Sequence, residues 1–239
     1  MSFGVVIPTL QRSPLLGDLL VALSAEPLVD QIVVVNNATT ELPHSGPKIS
    51  IISPGENIYV NPAWNAGVRA VSTPLLCIAN DDLKFDTSLF HHARRWLRLP
   101  VGIVAPAENA FRGVERGLLR DNPPVTGRPR LRPVYRRTEG FGTLMFMRRS
   151  NYVEIPSELR ICFGDDYLFN QQRHRNAVFS GFPIDTPMGT TSSSAEFVQL
   201  FDEDRERYLA LPPGPYSRRY SWEPKIARHV VHRLRRARS

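Results

Sequence analysis

The chain has 239 residues, of which 42% are hydrophobic, and a formal net charge of +7, enough for one domain with a substantial core. No apolar run approaches the ~20 residues that cross a bilayer, and Met1-Ser2-Phe3-Gly4-Val5 lacks the basic stretch of a signal peptide. Two cysteines, Cys77 and Cys162, make neither a disulfide framework nor a zinc site, so a cytoplasmic protein of a reducing compartment is expected.

In chain order, Val5-Val6-Ile7-Pro8-Thr9 predicts a short strand that stops near its proline. Leu15, Leu16, Leu19, Leu20 and Leu23 keep a spacing of three and four, which predicts an amphipathic helix with Ser13-Pro14 as its N-cap and first residue. Gln31 to Val35 is a β-branched strand ending in Asn36-Asn37, and Lys48 to Ser53 is a third strand closed by Pro54-Gly55. Asn61-Pro62 predicts a second capped helix through Val71. Leu75-Leu76-Cys77-Ile78-Ala79 is apolar throughout, as a strand buried on both faces of a parallel sheet must be, and it runs into Asn80-Asp81-Asp82. A helix over 87–99 and a strand over 101–105 complete an alternation that predicts βαβ units and a parallel sheet.

Beyond Pro106 the pattern changes. Residues 106–138 are rich in Arg, Pro and Gly and are expected to form a long irregular connection. Its arginines (112, 116, 120, 128, 130, 132, 136 and 137) suit either a clamp on an anionic acceptor or a solvated basic loop. Gly142 to Met147 predicts another strand. Gly164-Asp165-Asp166 opens a helix that turns Tyr167, Leu168 and Phe169 to the core, residues 189–194 form a polar loop, and 195–211 make a last helix.

Three strand ends carry polar residues: Pro8-Thr9, Asn36-Asn37 and Asn80-Asp81-Asp82. In a parallel sheet these ends share one edge, where open α/β sheets bind ligands. Carboxylates there can hold Mg²⁺ or Mn²⁺ and bridge to phosphate, although a solvated acidic turn has the same composition. Neither G-x-G-x-x-G nor G-x-x-x-x-G-K-[ST] occurs, so a nucleotide would be held by strand-end side chains and a metal rather than by a glycine cradle.

Four blocks, in this order and spacing, resemble the family 2 glycosyltransferases of GT-A fold over about residues 3–195. They are Val5 to Thr9; Ile32 to Thr39; Asn57 through Trp64-Asn65-Ala66-Gly67 to Asp82; and Phe141 to Met145 with Gly164-Asp165-Asp166. The resemblance implies a GT-A-like (Rossmann-like) α/β domain, a mostly parallel sheet flanked by helices, over 1–211. Within it, 1–105 would bind a nucleotide sugar and 106–211 would form the acceptor side. It implies that Pro8 and Thr9 border the nucleoside, that Asn36 faces the base or ribose where relatives carry Asp, and that Asn57 and Asn65 line the donor pocket. Asn80 and Asp81 would lie beside the ribose and sugar, and Asp82 would contact the metal, Mn²⁺ or Mg²⁺. The Asp165-Asp166 pair matches the family's Glu-Asp motif, with Asp166 at the position of the general base; a helix N-terminus stabilised by acids is its structural alternative. Many relatives carry a metal-binding histidine after this motif, but Pro187 to Ser192 has none, and His174 is expected at the surface.

The implied activity is metal-assisted, inverting transfer of a hexose or pentose from a nucleotide-diphosphate donor such as a UDP-sugar. The acceptor is a lipid-linked glycan or a protein, with a modified DNA base or a catalytically idle nucleotide-sugar binder as the alternatives. Residues 212–239 read as a Pro-rich linker and a basic tail. From Pro224 to Ser239 the tail carries Lys225, Arg228, Arg233, Arg235, Arg236 and Arg238 and no acid, six of the seven net charges. Ile226, Val230, Val231 and Leu234 between them predict an amphipathic helix for peripheral contact with an anionic membrane or nucleic acid.

Overall fold

The computed structural model describes residues 1–112, 129–187 and 195–220. Strands β1 (Phe3–Thr9), β2 (Val29–Asn36), β3 (Ile49–Ile52), β4 (Leu75–Ala79), β5 (Lys84–Phe85), β6 (Val101–Pro106), β7 (Phe111–Arg112), β8 (Arg130–Val134), β9 (Leu144–Arg148), β10 (Arg175–Ser180) and β11 (Ile184–Asp185) form two sheets. The helices are α1 (Leu16–Ala25), α2 (Val60–Ala70), α3 (Leu89–Trp96), α4 (Gly164–Asn170), α5 (Ala195–Ala210) and α6 (Pro215–Tyr220).

The large sheet has the order β3-β2-β1-β4-β9-β6-β10-β8. β1 is parallel to β2 and β4, β6 is parallel to β10, and β9 runs antiparallel between β4 and β6. The expected mixed α/β sheet, mostly parallel and flanked by helices, is what forms. Alternation along each strand fills both faces. Val5, Ile7, Cys77 and Ala79 pack with α1 and α3, whereas Val6, Leu76 and Ile78 pack with α2, α4 and Tyr216 of α6. That two-sided burial is why β1 and β4 read as continuous apolar runs. Gly67 lets α2 lie close on β1, because a Cβ there would come 2.3 Å from Val6.

Several elements differ from expectation. Ser13 Oγ accepts the Leu15 amide at 3.1 Å, as a cap does, but the regular helix begins at Leu16. Asn61 is not an N-cap: it is the second residue of α2, and its amide donates to the Arg160 carbonyl at 3.0 Å. Within the 106–138 connection, Arg130–Val134 is an edge strand antiparallel to β10. Arginine and proline hide such a strand from propensity, yet they suit a sheet edge, which must not pair further. Residues 212–220 are not a loose linker. Tyr216 of α6 is buried and donates its hydroxyl to the Val134 carbonyl. Residues 113–128, the polar loop 188–194 and the basic tail 221–239 lie outside the described residues. Among the described residues no helix is long and apolar enough to cross a membrane.

Candidate active site

The C-terminal ends of β1, β2 and β4 meet at one edge. Thr9 pairs with Asn36 in register, and Thr9 Oγ1 donates to Asp81 Oδ2 at 2.5 Å. A cavity of about 420 Å³ opens there, lined by Pro8, Thr9, Asn57, Asn80, Asp81, Asp82 and, from the other half of the chain, Asp165. Asn80 is fixed by its amide, which donates to the Thr143 carbonyl at 2.9 Å, so the start of β9 seats the end of β4.

Two expected donor-site residues lie elsewhere. Asn36 is buried with all its polar groups engaged. Its Oδ1 accepts from Gln11 Nε2 at 3.0 Å and from the Ala38 amide at 3.1 Å, and its Nδ2 donates to the Thr40 carbonyl at 2.8 Å. It closes the loop after β2. The neighbouring Asn37 lines the cavity instead; its Nδ2 donates to the Tyr59 carbonyl at 3.2 Å, and its buried Oδ1 has no protein partner. Asn65 faces away from this cavity. Its Nδ2 donates to the Ile155 carbonyl at 2.8 Å and its Oδ1 accepts from the Tyr152 hydroxyl at 2.7 Å, which joins α2 to the segment before α4.

Burial raises the carboxyls of both Asp81 and Asp82 from the ordinary range; the Thr9 hydrogen bond opposes this at Asp81, and a hydrogen bond from Thr186 opposes it at Asp82. Asp82 Oδ1 is buried with no protein hydrogen-bond partner. An oxygen-seeking divalent cation would satisfy that orphaned atom and offset the burial of the charge. Among the described residues no group of three His, Cys, Asp or Glu could hold a metal alone. The orphaned carboxylate oxygen of Asp82 is of the donor type that a hard divalent cation takes. His174 is exposed, as expected.

Asp165 and Asp166 begin α4. Asp165 lines the cavity beside Gly142, where a Cβ would lie 2.9 Å from its Oδ2. Arg137 Nε is 2.7 Å from Asp166 Oδ1, and its other guanidinium nitrogen Nη1 is 3.4 Å from Asp165 Oδ2. Burial pushes Asp165 up to about 6; Arg137 counters that rise and the charge on Asp166 adds to it. Burial works against the charge on Arg137, but the two carboxylates outweigh it and raise the guanidinium above its ordinary value.

The loop before α4 is held from two sides. The Arg160, Ile161 and Cys162 amides all donate to the fully buried Asp204 of α5, at 3.1, 2.8 and 2.8 Å. From α2, Asn61 Nδ2 donates to the Cys162 carbonyl at 3.0 Å. Phe163 ends the loop at φ 60° and stacks on Tyr208 with 5.2 Å between ring centroids. Tyr59, also at positive φ, lines the same cavity. Left-handed backbone in bulky residues is costly and persists where surrounding structure imposes it, commonly at functional sites. Sequence reasoning missed Tyr59 and Asp204 as contributors, named Asn37 only as part of a polar strand end, and named Arg137 only within the basic connection. For Asn37 the alternation of the strand was a usable signal; for the others the partner is too distant in the chain.

No family model matches this chain, and no curated protein matches it. Solved structures do. S. aureus TarS 1–349 in complex with UDP-GlcNAc aligns with a TM-score of 0.57 at 13% identity, over 90% of this chain and 68% of that one. Mannosyltransferase PcManGT from Pyrobaculum calidifontis, in complex with GDP-Man and Mn²⁺, gives 0.59 at 14% identity, over 90% of this chain and 66% of that one. GalNAc-T7 with UDP, GalNAc and Mn²⁺ gives 0.58 at 11% identity; this chain spans only about half of its length, 54%. All three are GT-A glycosyltransferases, so the likeness shows that the fold is the GT-A fold.

Proposed function

We propose that this chain, built on the GT-A fold, transfers a sugar from a nucleotide-diphosphate donor to an acceptor hydroxyl. The observation that carries the reading is the placement of Thr9, Asp81 and Asp82 from the parallel strand ends around one cavity with Asp165 from α4. A donor-side pair of acids and an acceptor-side carboxylate facing one space are what a displacement at an anomeric carbon needs.

In this mechanism Pro8, Thr9 and Asn37 border the nucleoside, with the free Asn37 Oδ1 accepting from a base N–H or a ribose hydroxyl. Asn57, Asn80 and Asp81 flank the ribose and sugar. Asn36 and Asn65 act at one remove, by shaping the loop after β2 and by seating α2. Asp82 would hold the metal, which when bound supplies positive charge against the developing charge of the diphosphate leaving group. The acceptor hydroxyl gives its proton to a carboxylate as it attacks. The resemblance assigns that role to Asp166. The geometry favours Asp165, which lines the cavity and whose pKa near 6 suits proton acceptance at neutral pH. Attack from the side opposite the leaving group inverts the anomeric centre, and no covalent intermediate is required.

The proposed acceptor is a lipid-linked glycan, with proteins and modified DNA bases as competing hydroxyl sources. The test is a panel of nucleotide sugars with Mn²⁺, read by thermal shift and by release of nucleoside diphosphate. Stabilisation of about 2.7 kcal/mol is expected at one hundred times the dissociation constant. Binding without release of the diphosphate, with any acceptor hydroxyl or water, would make the chain a nucleotide-sugar binder instead.

A further inference from the structure

Among the described arginines of the basic connection, one behaves unlike a solvated surface charge. Arg112 pairs with Asp185 in the small sheet, Arg136 lies over the Tyr135 ring, and Arg130 and Arg132 are exposed on the edge strand. Arg137, just beyond β8, turns inward. Its Nη1 donates to the Thr138 carbonyl at 3.2 Å, and the same guanidinium reaches both carboxylates of α4. We propose that Arg137 is a positioning residue that keeps the Asp165–Asp166 pair ionised and aimed at the acceptor side of the cavity. This inference rests on the glycosyl-transfer reading for its functional meaning, but its physical content can be measured without turnover.

The need for such a residue follows from the geometry. Two consecutive acids at the start of a helix are pulled out of water together; the Asp165 side chain is 18% exposed and that of Asp166 is 21% exposed. Like charges this close, partly desolvated, favour retention of one proton by the pair. A protonated carboxyl cannot serve as the base. A cation within about 4 Å of both opposes that preference. Arginine suits the task because its charge is spread over a planar group that lies close to both carboxylates and never releases its own proton.

The other titratable groups facing the pair do not supply that charge. Cys162, from the preceding loop, is held up to about 12 by burial and by nearby carboxylates, so it stays a neutral thiol. Tyr208, from α5, is raised mainly by burial and also by Asp166, so it stays a neutral phenol. The neighbouring carboxylates of Asp165 and Asp166 act on each other with the wrong sign. Gly142 presses on Asp165 without contributing any charge. Among the described residues, the positive charge that balances the acids at this end of the cavity comes from Arg137.

The experiment uses the full chain labelled with ¹³C at the aspartate carboxyls, titrated by NMR as the parent, Arg137→Met and Arg137→Lys, with Asp165→Asn and Asp166→Asn to assign the signals. Loss of the guanidinium removes the charge that opposes the rise of the Asp165 carboxyl, so the Asp165 titration midpoint should rise further, by about one pH unit or more in Arg137→Met and by less in Arg137→Lys. In donor turnover the acid limb should move to higher pH by the same amount. At acidic pH the rate then falls about tenfold for each pH unit by which the limb moves, and it recovers at alkaline pH, while donor KM stays near the parental value. An unmoved titration in a folded Arg137→Met protein overturns the proposal. So does a rate that falls equally at every pH, because that would be loss of structure alone. If Arg137→Met does not fold, Arg137→Gln keeps a planar hydrogen-bonding end without charge and is read by the same criteria. If the parent turns over no donor, the transferase reading fails, and the titration alone decides what Arg137 does.

Discussion

Thr9 at the end of β1 and Asp81 at the end of β4, 72 residues apart in sequence, are joined by a 2.5 Å hydrogen bond. The bond fixes one carboxylate of the acidic pair through a protein donor. The second, Asp82, keeps an oxygen without any protein hydrogen-bond donor. Adjacent residues thereby take different tasks, one positioned by the fold and the other left with capacity for a cation.

Asp82→Ala should therefore remove metal-dependent donor binding and leave cooperative unfolding intact. Thermal shift of a bound UDP-sugar, with and without Mn²⁺, checks this. The parent should gain about 2.7 kcal/mol at one hundred times the dissociation constant, and the variant should show no dependence on Mn²⁺. Equal donor affinity in both proteins with and without the metal would remove Asp82 from metal binding.

Asp165→Asn and Asp166→Asn separate the two candidates for the base. Loss of a general base typically costs about 10²–10⁴ in rate. The larger loss is expected at Asp165, with donor affinity nearly unchanged in both variants. The reverse order would return the role to Asp166, as the sequence resemblance has it, and parental turnover in both would reduce the motif to a helix start.

Stability should report the same burial. A carboxyl raised to about 6 in the folded chain contributes fully below its unfolded value near 3.8, and the contribution is lost as pH rises through 6. Asp165→Asn, which cannot ionise, should thus gain on the parent by on the order of 1–3 kcal/mol between pH 4 and pH 7. Urea unfolding at the two pH values measures it; a constant difference would mean that the carboxyl titrates alike in both states.

Gly142→Ala places a methyl group 2.9 Å from Asp165 Oδ2 and 3.0 Å from its Cβ and Cγ. The short Asp side chain has little room to yield. Displacing a reacting group by an ångström can cost about 10²-fold in rate, so turnover should fall far more than the melting temperature does. A rate close to the parental value would show that Asp165 need not sit where it is.

Asp204→Ala tests the support behind α4. It strands three backbone amides in a buried loop, and the loss should be on the order of 3 kcal/mol in urea unfolding. Asp204→Asn keeps one acceptor oxygen and should lose less. Loss of turnover in Asp204→Asn at unchanged global stability would show that the loop aims the acids as well as holding the fold.

Local pattern alone determined much of this protein. The runs in β1, β2 and β4 are legible because a strand buried on both faces has no room for polar residues until its end. The leucine spacing of α1 follows from one helical face meeting the sheet. The polar strand ends named the cavity edge for the same reason, since parallel strands must finish together. Tertiary structure decided the rest. Asn36 and Asn37 are equivalent by composition, but successive residues point to opposite sides, and only the registry of β2 against β1 says which side the cavity occupies. The insertion of β9 between β4 and β6, and the pairing of Arg130–Val134 with β10, are long-range ladders that leave no period in the local sequence. In the sequence, Arg137 is one of eight arginines that suit either a clamp on an anionic acceptor or a solvated loop, and Asp204 is one of several charges on a helix. Each acquires its place from desolvated partners tens of residues away, because removing a charge from water compels it to find an opposite charge or a set of amides wherever the fold brings one.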